Sequence, residues 1–254
     1  MAPKAAPPAS AAAAPAGRAS ALYLTLYNFA SALLWTVVLG RTVFDASVVA
    51  LVAASSGVAP LAWVSPTTTT FVRWTQTLAL LEVVHALFGI VRAPLVTTAM
   101  QVASRLLLVW PVLFLRPAAT TISPFYASML LAWSLTEVIR YSYFVVSLAR
   151  GGAAARPRPP PAWFTRLRYS TFLVLYPVGI ASEVRLVYLA ARTTPVVFRS
   201  DAVAAYLPPA AYTTALHVLL ATYVPGSYIL YTYMLAQRRK VLRRLDAAAG
   251  KKTE

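Results

Sequence analysis
Apolar residues fall in six long blocks along this chain, separated by short stretches that carry arginine, proline or glycine. The blocks run approximately Ala21–Gly40, Trp74–Val91, Thr97–Leu115, Tyr126–Leu148, Leu167–Ala191 and Ala211–Leu235. At about 1.5 Å of rise per helical residue, each is long enough to cross a hydrocarbon core roughly 30 Å thick. The pattern predicts an all-α fold, a polytopic membrane helix bundle with six transmembrane spans. Arg92-Ala93-Pro94 predicts a tight turn between the second and third spans. Residues 150–161, between the fourth and fifth, are too rich in proline and glycine to be helical. Residues 43–64 are also apolar, but they hold Asp45, the Ser55-Ser56-Gly57 break and Pro60. They read as a lumenal loop with a possible extra short helix at the interface; the alternative is a seventh span.

The ends of the chain differ from this pattern. Residues 1–20 are rich in alanine and proline and read as a disordered cytosolic tail, because no positive region leads an apolar core to a cleavage site. Residues 21–235 form the transmembrane domain, and residues 236–254 a basic cytosolic tail. The tail ends Lys251-Lys252-Thr253-Glu254, a dilysine signal for the endoplasmic reticulum on a cytosolic C-terminus. An ordinary basic tail is the plainer alternative.

Composition strengthens the membrane reading. The chain is 59% hydrophobic and 12% charged, with a mean hydropathy of +0.65, far more apolar than a soluble domain. It has no cysteine, which excludes disulfides, thiolate nucleophiles and thiolate-bound metals. His85 and His217 sit on different segments without a ligand-spaced partner, so no metal site is expected. The net charge of +16 suggests nucleic acid at first sight, but the basic residues gather at span ends and loops. Fifteen of them fall on the side that holds both termini, against five (Arg41, Arg73, Arg116, Arg192 and Arg199) on the other. That asymmetry places both termini in the cytosol and predicts contact with anionic lipid headgroups.

Ionisable side chains at bilayer depth are costly and usually mark function. Of seven acidic residues, Glu82, Glu137 and Glu183 fall within predicted spans. Glu82 and His85 are spaced i, i+3, as are Glu137 and Arg140; Gln101 and Arg105 are i, i+4. These read either as internal ion pairs that hold the bundle together, with Arg105 placed to face Glu82, or as functional groups. Glu183 differs. Its neighbours at i+3 and i−4 are Leu186 and Gly179, and Arg185 projects from another face. Tyr176 lies seven residues earlier, about 700° of turn and roughly 10.5 Å of rise, so the two share a face. Pro177 and Gly179 between them loosen and thin the helix, making room for a substrate or simply for packing. A phenol and a carboxylate facing one cavity are the minimum equipment for acid–base chemistry.

The segment Leu175-Tyr176-Pro177-Val178-Gly179-Ile180-Ala181-Ser182-Glu183 is similar to the active-site segment of the very-long-chain (3R)-3-hydroxyacyl-CoA dehydratases, also called protein-tyrosine-phosphatase-like proteins. Tyr23-Leu24-Thr25-Leu26-Tyr27-Asn28 resembles the start of that family's first span, and residues 76–85 its second. Gln101-Val102-Ala103-Ser104-Arg105 resembles the third, and residues 132–141 the fourth. The likeness covers roughly Tyr23 to Met234 in the right order.

The resemblance implies a hydro-lyase of the endoplasmic reticulum membrane. It would remove water from a (3R)-3-hydroxyacyl-CoA to give the trans-2-enoyl-CoA, the third step of fatty-acid elongation. The condensing enzyme and the two reductases of that cycle are the implied partners. Tyr176 and Glu183 are the implied catalytic pair; Glu82, Gln101, Arg105, Arg140, Arg168 and Gly179 are supporting positions. Glu183 is assigned the C2 proton and Tyr176 the departing 3-hydroxyl, although spacing alone permits the reverse. The reaction needs no redox or metal cofactor. Phosphatase chemistry is excluded: in the stretch His85–Arg92 the place of the nucleophilic cysteine is taken by Ala86, whose methyl cannot attack phosphorus. Two other classes remain open, a catalytically silent scaffold of the elongation complex and a small transporter, though no internal repeat supports the latter.

Overall fold
The first helix, α1 (Arg18–Ser56), is 39 residues long, roughly 58 Å at the standard rise and nearly twice a bilayer core. It overturns the expectation that residues 43–64 form a loop: residues 43–56 continue the first helix. The polar residues that suggested a break are satisfied without one. Asp45 accepts the backbone N–H of Ser65 at 2.9 Å. The Ser55 and Ser56 hydroxyls donate to the Val52 carbonyl at 3.1 and 2.7 Å. The stop comes at Gly57, whose φ of +65° suits glycine and whose N–H closes on Ala53 at 3.1 Å.

The computed structural model describes residues 18–57, 63–151, 159–193, 196 and 198–250, and no strand occurs among them. Most of the predicted N-terminal tail, the dilysine signal and residues 152–158 lie outside the described residues. The second predicted span is two shorter helices, α2 (Pro66–Thr77) and α3 (Leu80–Leu87). It begins eight residues before the apolar block because Ser65 caps it, accepting the Thr68 N–H, with Pro66 at the first helical position. Gly89, at φ +66°, ends α3 and starts the turn through Arg92-Ala93-Pro94.

The chain returns as α4 (Leu95–Leu107), which passes into a π-helical turn at Leu108–Phe114 around Pro111. Proline has no N–H to give the ladder, so the regular α register yields there. The Pro111 carbonyl accepts the Tyr212 hydroxyl at 2.9 Å. A single turn, α5 (Pro117–Thr120), leads into α6 (Pro124–Gly151). Next come α7 (Ala162–Arg168), α8 (Phe172–Arg192), α9 (Asp201–Tyr206) and α10 (Pro209–Gly250). The last helix has 42 residues and carries its helical register through residues 236–250, the segment read as a tail.

Helix α6 is the centre of the bundle, packed along α1 on one side and α8 on the other, while α10 lies against α8. The core forms where Trp35 and Val38 of α1, Tyr126, Met129 and Leu130 of α6, and Leu186 and Val187 of α8 meet the π-helical turn. Large apolar side chains elsewhere face outward, among them Leu22, Phe44, Leu51, Val224 and Ile229. A surface of that kind suits lipid. Among the described residues, four helical stretches are long and apolar enough to cross a membrane: Ala19–Ser56, Leu95–Phe114, Ala162–Arg192 and Pro209–Ala248.

Candidate active site
Helices α8 and α10 lie antiparallel, and each presents a polar line to the other. On α10 the line is Tyr223, Ser227 and Tyr231, spaced four residues apart and therefore on one face. On α8 it is Tyr176 and Glu183. The Tyr176 ring stacks on Tyr231 with centroids 5.8 Å apart, and its hydroxyl reaches the Ser227 carbonyl at 3.4 Å. Glu183, further along, meets Tyr223, whose hydroxyl donates to Oε2 at 2.9 Å. The shared face expected from the seven-residue spacing is present. Tyr176 and Glu183 do not bond to each other; both address α10. Tyr176, Glu183 and Tyr223 are all half-buried, so the groove between the two helices leaves part of each side chain uncovered.

The other carboxylate oxygen of Glu183 points to α6, where Trp133 donates its indole N–H to Oε1 at 2.8 Å. Two neutral donors thus hold Glu183, and it takes part in no ion pair among the described residues. Arg185 turns away toward the rings of Tyr188 and Phe125. Gly179 is buried against α6. A methyl added there would sit 3.8 Å from Ala132 Cβ and 4.0 Å from Glu183 Oε1, ordinary contact distances. Both helices carry a proline beside the groove, Pro177 in α8 and Pro225 in α10. Each removes one backbone N–H from its ladder.

Across α6 lies a cluster of four charges. Arg105 of α4 pairs with Glu137 of α6. Arg140 donates from Nε to Glu137 at 2.6 Å and from both terminal nitrogens to Glu82 of α3 at 2.6 and 3.0 Å. The Tyr141 hydroxyl also donates to Glu82. Two carboxylates and two guanidiniums give no net charge, which is how ionised groups survive in an apolar bundle. The Glu137–Arg140 pair matches its spacing. The expected contacts of Glu82 do not form: Arg105 goes to Glu137, and His85 bonds the Tyr23 hydroxyl at 2.8 Å. The cluster is joined to the α8 groove through one side chain, because the Arg105 guanidinium lies 5.2 Å above the Trp133 ring that donates to Glu183.

Two of the expected supporting positions lie apart. Gln101 is exposed, and Arg168 packs over the rings of Phe144, Tyr143 and Tyr169 at 4.7 to 5.6 Å. Conversely, Trp133 and Tyr223 touch Glu183 without any sign of it in the spacing. They lie 50 and 40 residues away in sequence, on other helices.

A family model described as "Protein tyrosine phosphatase-like protein, PTPLA" matches residues 76–244, about two thirds of the chain. This chain belongs to that family. The PTPLA match takes in every residue of the groove and of the charged cluster. One similar protein, from Schizosaccharomyces pombe, is named "Probable very-long-chain (3R)-3-hydroxyacyl-CoA dehydratase". It is 42% identical over 225 residues, 89% of this chain and 95% of that protein. The Oryza sativa dehydratase PASTICCINO 2A is 39% identical over 235 residues, 89% of this chain and 96% of its own length. The Arabidopsis thaliana dehydratase PASTICCINO 2 is 42% identical over 174 residues, 66% of this chain and 73% of its own. No solved structure matches.

Proposed function
We propose that this protein is a very-long-chain (3R)-3-hydroxyacyl-CoA dehydratase, a hydro-lyase of fatty-acid elongation, with Tyr176 and Glu183 as its reacting groups. One observation carries the site assignment. Of the three glutamates within the bundle, two are neutralised by arginine, whereas Glu183 is held by neutral donors in an open groove beside a phenol. A carboxylate with no cation attached keeps its basicity for a substrate proton.

In this reading Glu183 removes the proton at C2 of the hydroxyacyl thioester. The C2=C3 bond forms as the C3–O bond breaks, and Tyr176 gives its proton to the departing hydroxyl, which leaves as water. Exchange with water then takes the C2 proton from Glu183 and returns one to the Tyr176 phenolate, which restores the site. The reaction is redox-neutral. Its products, enoyl-CoA and water, balance its substrate.

The same reading orients the ligand and the membrane. Six crossings follow if the α2–α3 pair and α6 cross as well. Helix α6 is sandwiched between α1 and α8, and its charges are paired internally, so its lower apolarity does not oppose crossing. Both termini are then cytosolic, consistent with the charge asymmetry and with residence in the endoplasmic reticulum. At the helical rise, Tyr176 lies roughly 12 Å and Glu183 roughly 22 Å beyond Arg168 along the α7–α8 segment. The CoA headgroup stays at the basic cytosolic face while the acyl chain descends between α8 and α10, and the elongation partners dock from outside the bundle. The deciding assay follows enoyl-CoA formation by purified protein in detergent, for wild type, Tyr176→Phe and Glu183→Gln. Both variants are expected to lose activity; unchanged turnover in both would refute the site, and an inactive wild type the reaction.

A further inference from the structure
Resting on the dehydratase reading, we infer that Tyr223 is a positioning residue. It fixes the Glu183 carboxylate for C2 proton removal and thereby makes α10 part of the active site. Glu183 is gripped from two directions. Trp133 on α6 binds Oε1 at 2.8 Å and Tyr223 on α10 binds Oε2 at 2.9 Å. One donor alone leaves the carboxyl plane free to rotate; two donors on different helices define it. Each oxygen still has a second lone pair, so the clamped carboxylate remains able to accept a proton.

The same contacts divide labour between the two phenols. Tyr223 has one hydroxyl hydrogen, and Glu183 takes it. While that bond stands, Tyr223 has nothing to give a departing hydroxyl. Tyr176 is held only loosely, at 3.4 Å from the Ser227 carbonyl, and its hydrogen is available. Because Tyr223, Ser227 and Tyr231 share one face of α10, a single helix sets the positions of both reacting side chains.

The test is steady-state dehydration by the full-length protein in mild detergent. Tyr223→Phe is expected to lower kcat roughly 10- to 100-fold with KM changed less than about threefold, since the lost hydrogen bond is to a charged group and not to substrate. Introducing p-aminophenylalanine at position 223, which keeps an N–H donor in place, is expected to restore most of kcat. In a Glu183→Gln background, Tyr223→Phe is expected to cost nothing further, because the group it positions is gone. Tyr228→Phe, on an exposed part of the same helix at 71% exposure, serves as an unaffected control. Wild-type kcat in Tyr223→Phe overturns the role. So does a loss that the amino analogue fails to restore, which would mark a packing residue. Should Tyr223→Phe not fold, p-aminophenylalanine against p-methylphenylalanine makes the same comparison at nearly constant volume. If Glu183→Gln abolishes turnover while the Tyr223 variants keep it, only this inference fails; if wild type does not dehydrate, the functional reading fails with it.

Discussion

The glutamates within the bundle fall into two groups that are treated in opposite ways. Glu137, 1% exposed, pairs with Arg105 and shares Arg140 with Glu82 in a neutral cluster. Glu183, only half-buried, receives an indole N–H and a phenol O–H but no cation. The first arrangement satisfies every charge and leaves nothing to react. The second holds a carboxylate in place without an ion pair. On the proposed assignment, apolar surroundings do not by themselves separate a structural acid from a chemical one; the nature of the partners does.

The comparison is broken most directly by exchanging the failures of the two sites. Glu183→Gln is expected to lower kcat on the order of 10³-fold, the usual scale for losing a general base. Its thermal unfolding in detergent should stay near wild type, since the amide oxygen still accepts a hydrogen bond. Glu137→Gln should do the reverse. Removing one partner from a buried ion pair costs about 3–5 kcal/mol, seen as a lowered Tm, while the protein that remains folded turns over at a rate within a fewfold of wild type. A stable Glu137→Gln protein, or an unfolded Glu183→Gln one, would erase the distinction. Tyr176→Phe is expected to lower kcat about 100-fold with little change in Tm, because its hydroxyl makes one long bond. Gly179→Ala sharpens the comparison at small scale. Its methyl meets only ordinary contacts, so the helix should gain about 0.5–1 kcal/mol of stability. The crowding beside Glu183 Oε1 should reduce kcat no more than severalfold.

The helices were legible in the sequence because membrane crossing demands long apolar runs: each predicted block is largely helical, although the second is split at Leu78-Ala79 and the fifth is interrupted at residues 169–171. Their ends were less so. Asp45 and the two serines look like a break to a hydropathy reading, yet each spends its polar atoms on α1 or on the residue that follows the α1–α2 connection. The start of α2 was readable in principle from Ser65-Pro66, a cap followed by a first-turn proline. At the site, spacing within one helix correctly placed Tyr176 with Glu183 and Glu137 with Arg140. It was blind to contacts between helices, which is where Trp133, Tyr223 and the true partner of Glu82 lie. Periodicity reports which face a residue occupies and says nothing of which helix that face will meet.

Helix α10 is attached to the bundle chiefly through α8, with smaller contributions from the Tyr212–Pro111 bond and the Arg166–Asp246 pair, so one wall of the groove depends mainly on one seam. Solvents that strip annular lipid should loosen that wall while the α1–α6–α8 trio stays associated. Extraction conditions would then decide whether a sample is competent: a preparation with full helicity by circular dichroism and poor turnover is the signature of a detached outer helix, curable by returning the protein to a bilayer.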